Sequence, residues 1–400
     1  MSLRSDANAL HPELVALRRA LHRAPEIGLD LPRTQEKVLT ALDGLGLDIS
    51  LGRNLTSVTA VLRGGGGTGG TVLLRGDMDA LPVTEISGEE FSSETDGAMH
   101  ACGHDLHTAG LVGAARLLAA RRHRLPGDVV FMFQPGEEGC DGAGHMLEEG
   151  VLTASGQPVD AAFGLHVSSS RHERGMFCCR PGPLMAASDA VKVRVTGAGG
   201  HGSAPELARD PIPAACEMVS ALQTRMTRGF GAFEPAVLTV GSFHAGTRRN
   251  VIPDDAVFEA TVRSFDPEVR ERIRTEVTRA CEGIASAHGL EVEVSYEAEY
   301  PLTVNHEEEH DFVAGTVREV FGKERFTLLP QPMTGSEDFS RVLDKVPGAF
   351  VFLGATRSGA DPATAPNNHS PRAAFDDSVL ADGATLLAEL ACRKLATLAA

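Results

Sequence analysis

At 400 residues the chain is too long for one ordinary core and predicts about two to three domains of roughly 100–200 residues each. Hydrophobic residues make up 42% and charged residues 23%, which excludes disordered, collagen-like and coiled-coil chains; with no Trp, the core must lean on Leu, Val, Ala and Phe. A formal net charge of −17 repels a phosphate backbone and an anionic bilayer, so neither nucleic acid nor membrane is expected as a partner.

The first thirty residues carry Glu13, Arg18, Arg19, Arg23 and Glu26 at short intervals and hold no continuous apolar signal core. No later run is long enough to span a bilayer, and seven scattered Cys read as reduced thiols, so a cytoplasmic location is expected. Pro12 predicts a helix start, with Leu10, Leu14, Leu17 and Leu21 at helical spacing, and a second helix is predicted from Arg33 to Leu45. Strands follow at Ser57–Leu62 and Thr71–Arg75. The Gly-rich stretch between them, Gly64 to Gly70, lacks the Lys-Ser/Thr of a nucleotide loop and predicts a flexible hairpin connection. Further strands at Asp128–Phe133 and Asp160–Leu165 alternate with helices at Leu106–Arg121 and Ala143–Glu149, the pattern of an α/β sheet.

From Ala190 the order changes to strand (Val191–Val195), helix (Pro211–Thr227), two strands (Ala236–Phe243, Val257–Val262), helix (Pro267–His288) and strand (Leu290–Ser295). This βαββαβ order predicts a ferredoxin-like domain, residues 188–298, inserted into an α/β domain made of residues 1–187 and 299–400, with a mixed sheet flanked by helices. The second part contributes a helix from Glu307 to Phe321, a strand at Ala349–Leu353 and a helix ending near Leu395.

The chemistry-bearing residues collect at predicted strand ends and just before a helix. Gly97 to His107 packs His100, Cys102, His104, Asp105 and His107 together, a donor density that suits Zn²⁺, Mn²⁺, Co²⁺ or Ni²⁺. Cys102 and His104, two apart, can point to one side of an extended segment. The run Phe131-Met-Phe-Gln-Pro-Gly-Glu-Glu138 ends an apolar strand in two adjacent carboxylates, which repel each other and call for a positive partner. Ala161-Ala-Phe-Gly-Leu-His166 delivers another ligand type at a strand end. Taken singly, each also reads as a capping residue, a solvated acidic turn or a hydrogen-bonded structural His.

With Arg75-Gly-Asp-Met-Asp-Ala-Leu-Pro82 and Asn368-His-Ser370 added, five separated segments agree in order and residue type with one pattern. The chain resembles the M20 metallopeptidase family, and within it the aminoacylase, hippurate hydrolase and auxin-conjugate hydrolase branch, over nearly its whole length. The resemblance implies two divalent ions per subunit, held by Cys102, His104, Glu138, His166 and His369, with Cys102 bridging. It makes Glu137 the general base toward a water activated between the ions, and Asp79 the carboxylate that orients a ligand. Asp77, Asp105 and His107 stay outside this set, as residues of the helix start or the surroundings.

In the inserted domain the Gly-rich turn Gly197 to Pro205 exposes His201, by itself an ordinary turn residue. In the family the matching His stabilises the oxyanion and often comes from a partner subunit, which implies a homodimer through the inserted domain. Asn250 is similar to the family's substrate-side amide. Arg263, at a strand end, is a candidate for pairing the substrate carboxylate, or for a surface ion pair. Thr334-Gly-Ser-Glu-Asp-Phe339 resembles a pocket-lining segment with no catalytic role. Gly136 before the Glu pair, and Arg248 and Arg249 before Asn250, depart from the family pattern; the two cations favour an acidic acyl group or side chain.

The implied reaction is hydrolysis of the amide bond of small N-acyl amino acids, with acetyl, benzoyl or similar acyl groups. The competing readings are a metallo-dipeptidase or carboxypeptidase of the same fold, a thiol hydrolase using Cys102 as nucleophile, and a non-catalytic binding protein. Glu137 beside the full ligand set argues against the last, because binding alone needs no base.

Overall fold

The computed structural model describes residues 2–67 and 69–400, leaving Thr68 of the glycine-rich stretch outside. The chain forms two compact units. In the first, helices α1 (Leu3–Arg23) and α2 (Pro32–Leu42) precede strands β1 (Asp48–Leu51), β2 (Val58–Leu62) and β3 (Gly69–Asp77). Helix α3 (His104–Ala119), β4 (Gly127–Gln134), α4 (Gly142–Glu148), β5 (Ala161–Ser168) and β6 (Phe177–Cys179) follow. The second unit holds β7 (Ala187–Thr196), α5 (Pro211–Arg228), β8 (Ala236–Ala245), β9 (Asp255–Ser264), α6 (Pro267–Ala287) and β10 (Glu291–Tyr300). The chain then returns to the first unit with α7 (Glu307–Val320), β11 (Phe326–Leu328), β12 (Gly348–Gly354) and α8 (Leu380–Leu398).

The first unit is a mixed α/β layer structure. Its eight-stranded sheet has the order β1-β2-β4-β3-β5-β12-β6-β11. The four central strands β4, β3, β5 and β12 run parallel, so the ends of β3, β4 and β5 that carry Asp77, Gln134 and His166 share one edge of the sheet. These strands are buried along nearly their whole length, which is why they read as continuous apolar runs such as Val129–Phe133 and not as alternating ones. Helices α1, α3 and α8 pack on one another, α3 and α8 also lie on this sheet, and α3 is buried almost all round. Each large aliphatic or Phe side chain so buried contributes about 1.5–3 kcal/mol.

The structure departs from three of the sequence expectations. The connection from β2 to β3 is not a hairpin, because β4 lies between them, antiparallel to β2 and parallel to β3. The glycines serve close packing instead: a Cβ on Gly64 would sit 2.2 Å from the Gly127 carbonyl oxygen. Helix α1 begins at Leu3, well before Pro12, with the Ser2 hydroxyl accepting from the Ser5 N–H at 3.2 Å. An interior Pro costs about 3 kcal/mol, which burial of Leu3, Ala7, Leu14 and Leu21 offsets. Helix α2 stops at Leu42, not Leu45, ahead of Gly44 and Gly46 in left-handed conformation.

The second unit is a four-stranded antiparallel sheet of order β8-β9-β7-β10 with α5 and α6 packed against it. That order and the βαββαβ sequence make it ferredoxin-like. Ala214, Met218 and Leu222 of α5 and Ile273, Val277 and Cys281 of α6 recur at helical spacing and form its core with Val191, Val193, Val195 and Phe258. Residues Pro332–Glu337 also belong to this unit, where the carbonyls of Met333 and Gly335 accept the Ala186 N–H at 3.1 and 2.9 Å. Among the described residues no helix is long and apolar enough to cross a membrane.

Candidate metal centre

The candidate centre stands at the edge where β3, β4 and β5 end. Gly103, at φ +86°, turns the chain from Cys102 into α3, so that His104 opens the helix beside Cys102. After β4, the turn at Gly136 delivers Glu137 and Glu138, whose backbone N–H groups donate to Asp79 Oδ1 and Oδ2 at 3.1 and 3.0 Å. His166 lies within β5, and His369 is held by its own N–H to the Ala101 carbonyl at 2.9 Å. His369 adopts φ +70°, a left-handed conformation unusual for a side-chain-bearing residue and typical of functional positions.

The donors form two groups that share one member. Ligand atoms of Cys102, His104 and His166 lie within 4.8 Å of one another, and so do those of Cys102, Glu138 and His369. Cys102 Sγ is 3.4 Å from His166 Nε2 and 3.2 Å from His369 Nε2, while His369 Nε2 is 3.1 Å from Glu138 Oε1. Glu137 joins through His104 and Glu138, again within 4.8 Å. All five sequence-predicted ligands and the predicted base thus come together in the first unit.

Two of the three imidazoles are oriented by the bond that the other nitrogen makes. His104 Nδ1 donates to the Asp79 carbonyl at 2.9 Å and His166 Nδ1 to the Val167 carbonyl at 2.8 Å, which turns both Nε2 atoms toward the cluster. His104 Nε2 is buried with no hydrogen-bond partner, 3.4 Å from Asp77 Oδ2 and 4.0 Å from Glu138 Oε1. A buried nitrogen without a partner, among carboxylates and a thiol, fits a divalent ion with a taste for N, S and O donors.

The electrostatics agree. Burial opposes charge on His104, but Asp77 and Asp79 raise its pKa well above the usual value, and the field that favours a proton there favours a cation. Hydrogen bonds to Cys102 and Glu138 raise the pKa of His369 to about 10. Burial also works against the Glu138 carboxylate, yet the His369 hydrogen bond and the charge on His104 hold it below the ordinary range. Burial and the neighbouring His107 push His166 well down, leaving it a neutral ring.

The three residues set aside have other occupations. His107 donates through Nδ1 to Asp77 Oδ1 at 2.5 Å and accepts the Val167 N–H on Nε2 at 2.8 Å, so neither nitrogen is available to an ion. Asp77 is also held by Arg75 at 2.7 Å. Asp105 turns away to Arg18 at 2.7 Å and His22 at 2.8 Å. His100 is buried and its pKa is pushed down to about 3 by that burial, so it stays neutral apart from the donor groups.

Sequence reasoning missed several supports. Asn368 donates to the Cys102 and Val167 carbonyls at 3.2 and 3.1 Å, tying the His369 segment to two donor-bearing stretches. Asp338 accepts from Gln134 Nε2, Arg75 and the Ala143 N–H in a fully buried network below the centre. The only signal for Asp338 was a second carboxylate in the Ser-Glu-Asp turn.

In the second unit, His201 and Asn250 stand together on a two-stranded ribbon: His201 pairs with Val251, and the Gly202 N–H donates to the Asn250 carbonyl at 2.9 Å. The exposed His201 ring accepts the Ser203 N–H on Nδ1 at 3.2 Å, which leaves the proton on Nε2. Arg263 is not with them. It lies near the far end of β9 from Asp255, about 26 Å along the strand at ~3.3 Å per residue, and bonds Thr261 and the Val262 carbonyl of its own strand.

Comparison with known proteins agrees with this geometry. Residues 73–393 match Peptidase family M20/M25/M40. The chain belongs to this family. It is 39% identical to thermostable carboxypeptidase 2 of Saccharolobus solfataricus, covering 98% of each chain. With N-acetyl-L-cysteine deacetylase of Bacillus subtilis it shares 35% identity over 99% of this chain and 92% of the relative. The crystal structure of the B. subtilis YXEP protein, a dinuclear metal binding peptidase from the M20 family, superposes with a TM-score of 0.82 at 33% identity, covering 98% and 99% of the two chains. The family's hydrolases include amidohydrolases and peptidases, and metal-dependent amide hydrolysis is the activity this M20 member shares with them.

Proposed function

We propose that this M20 hydrolase cleaves the amide bond of N-acylated amino acids bearing small acyl groups such as acetyl or benzoyl, with Cys102, His104, Glu138, His166 and His369 holding two divalent ions and Glu137 acting as general base. The observation that carries the reading is the pair of three-donor groups sharing Cys102, with the Glu137 carboxylate beside His104 and Glu138. A divalent pair held there would supply the positive charge that acidifies a water and polarises the amide carbonyl. Glu138 is committed to the cluster, so Glu137 is left to take the proton from the attacking water and return it to the amide nitrogen, which must be protonated to depart as an amine. Asp79 holds both residues' backbone in place for this division.

His201 donates from Nε2 to the oxyanion, as a residue supplied by the second subunit of a homodimer joined through the second unit. The open edge strand β8, with Val237 and Phe243 exposed, supports such pairing. Asn250 contacts the substrate beside His201. Seven unpaired cysteines support a reducing, cytoplasmic setting.

The similarity to a carboxypeptidase favours a second reading, in which the acyl side is a peptide. The two share a leaving group, an amino acid with a free carboxylate, and differ in the room left for the acyl side. Steady-state rates of the metal-loaded enzyme on N-acetyl and N-benzoyl amino acids, dipeptides and longer peptides separate them. Higher kcat/KM on the acyl amino acids is expected; a preference for peptides would move the assignment to the carboxypeptidase.

A further inference from the structure

His22 sits in the last turn of α1 with its side chain 2% exposed, and each ring nitrogen faces a carboxylate from a different segment. Nδ1 is 2.8 Å from Asp105 Oδ2, and Nε2 is 3.2 Å from Glu85 Oε1. Both partners accept, so both nitrogens donate. Asp105 follows His104 in the first turn of α3, and Arg18, one helical turn before His22, braces it at 2.7 Å. Glu85 lies in the loop between Asp79 and Cys102, where the Ser87 hydroxyl and the Ser93 N–H also bind it, the latter at 2.6 Å. His22 touches none of the five cluster donors, and no step of the reaction uses it.

We propose that His22 is a positioning residue for the metal centre: by joining Glu85 to Asp105 it fixes the segment between them, which carries Cys102 and delivers His104 to the start of α3. This inference rests on the reading of Cys102 and His104 as ligands. The long loop from Met78 to Gly103 has little regular structure of its own, so its geometry depends on such side-chain ties. Groups that orient ligands in this way typically change metal affinity by about 10–100-fold when removed.

The test is a Co²⁺ titration of the full chain after EDTA treatment, followed by the thiolate-to-cobalt absorption that a Cys102–Co²⁺ bond produces and that Cys102→Ser abolishes. His22→Leu is expected to raise the titration midpoint about 10–100-fold. His22→Asn, which can still donate to Asp105, is expected to recover part of it. Arg121→Ala serves as the control, because it frees α1 at its other end by removing the Arg121–Asp6 pair; it should lower the melting temperature and leave the midpoint unchanged. An unchanged midpoint in His22→Leu, or an equal rise in Arg121→Ala, overturns the proposal. Should His22→Leu fail to fold, Glu85→Gln carries the test with the same expected rise, and an unchanged midpoint there overturns it as well. Absence of the band in the unmodified chain would instead remove the metal reading itself.

Discussion

The backbone carbonyl of Asp79 accepts the Nδ1 proton of His104 at 2.9 Å. The same residue's carboxylate receives the N–H groups of Glu137 and Glu138, so one side chain and one peptide unit set the direction of the His104 imidazole and the placement of the two carboxylates. Replacing Asp79 by Asn puts an amide N–H against a backbone N–H and loosens that turn. We expect Asp79→Asn to weaken divalent-ion binding by about 10–100-fold, measured by chelator competition. Wild-type affinity would show that the turn holds without it.

Gly103 separates the two candidate metal donors Cys102 and His104. A Cβ there would lie 2.4 Å from Val167 Cγ2 and 3.0 Å from the Phe375 ring, and the residue's φ of +86° is unfavourable to any side chain. Gly103→Ala should therefore cost about 2–4 kcal/mol, combining overpacking with left-handed strain. Urea denaturation of the metal-free protein measures it. A loss under 1 kcal/mol would mean that Val167 and Phe375 yield easily.

The His22–Glu85 pair predicts a stability window. Burial opposes charge on His22, but Asp105 and Glu85 overcome it and hold its pKa at about 9, above the ordinary 6.5. Burial likewise opposes charge on Glu85, which hydrogen bonds from His22, Ser87 and Ser93 hold at about 2, below 4.5. A raised His pKa stabilises fully below 6.5 and fades as pH climbs through about 9; a lowered Glu pKa stabilises fully above 4.5 and fades as pH falls through about 2. The gap in melting temperature between the unmodified protein and His22→Leu should be widest between pH 4.5 and 6.5 and narrow on either side. A gap independent of pH would mean that the loss is packing alone.

What the sequence revealed and what it hid have separate causes. Glu138 and His166 stood out in the sequence because a parallel sheet brings strand ends to one edge, where donor types contrast with apolar runs, and Cys102 and His104 because several donor types crowd the short stretch before α3. The ferredoxin-like unit was legible from the order of its elements. The tie of His22 to Asp105 was not, because a His at the end of an amphipathic helix carries no mark of a partner 83 positions on. Asp338, 263 positions from Arg75, was hidden for the same reason. The hairpin expected across the glycine-rich stretch failed because adjacency in sequence suggested a pairing that β4 pre-empts. Short strands such as Phe177–Cys179 and Phe326–Leu328 were too brief to show a period.

If His201 acts on the oxyanion from a second subunit, its removal should lower kcat by about 10²–10³ without changing metal content. Mixing His201→Ala with Glu137→Gln, each nearly inactive alone, should then restore part of the activity in mixed dimers. Wild-type turnover by His201→Ala, or no recovery on mixing under conditions of subunit exchange, would contradict a donor supplied across a dimer.

The division of labour between two adjacent carboxylates is the centre of the account, and metal content measured together with turnover in Glu137→Gln and Glu138→Ala tests it most directly. Glu137→Gln is predicted to keep two divalent ions per chain while turnover falls by at least about 10²-fold, and Glu138→Ala to lose metal. Equal metal loss in both variants, or a fully metallated Glu137→Gln that turns over at the normal rate, would contradict it.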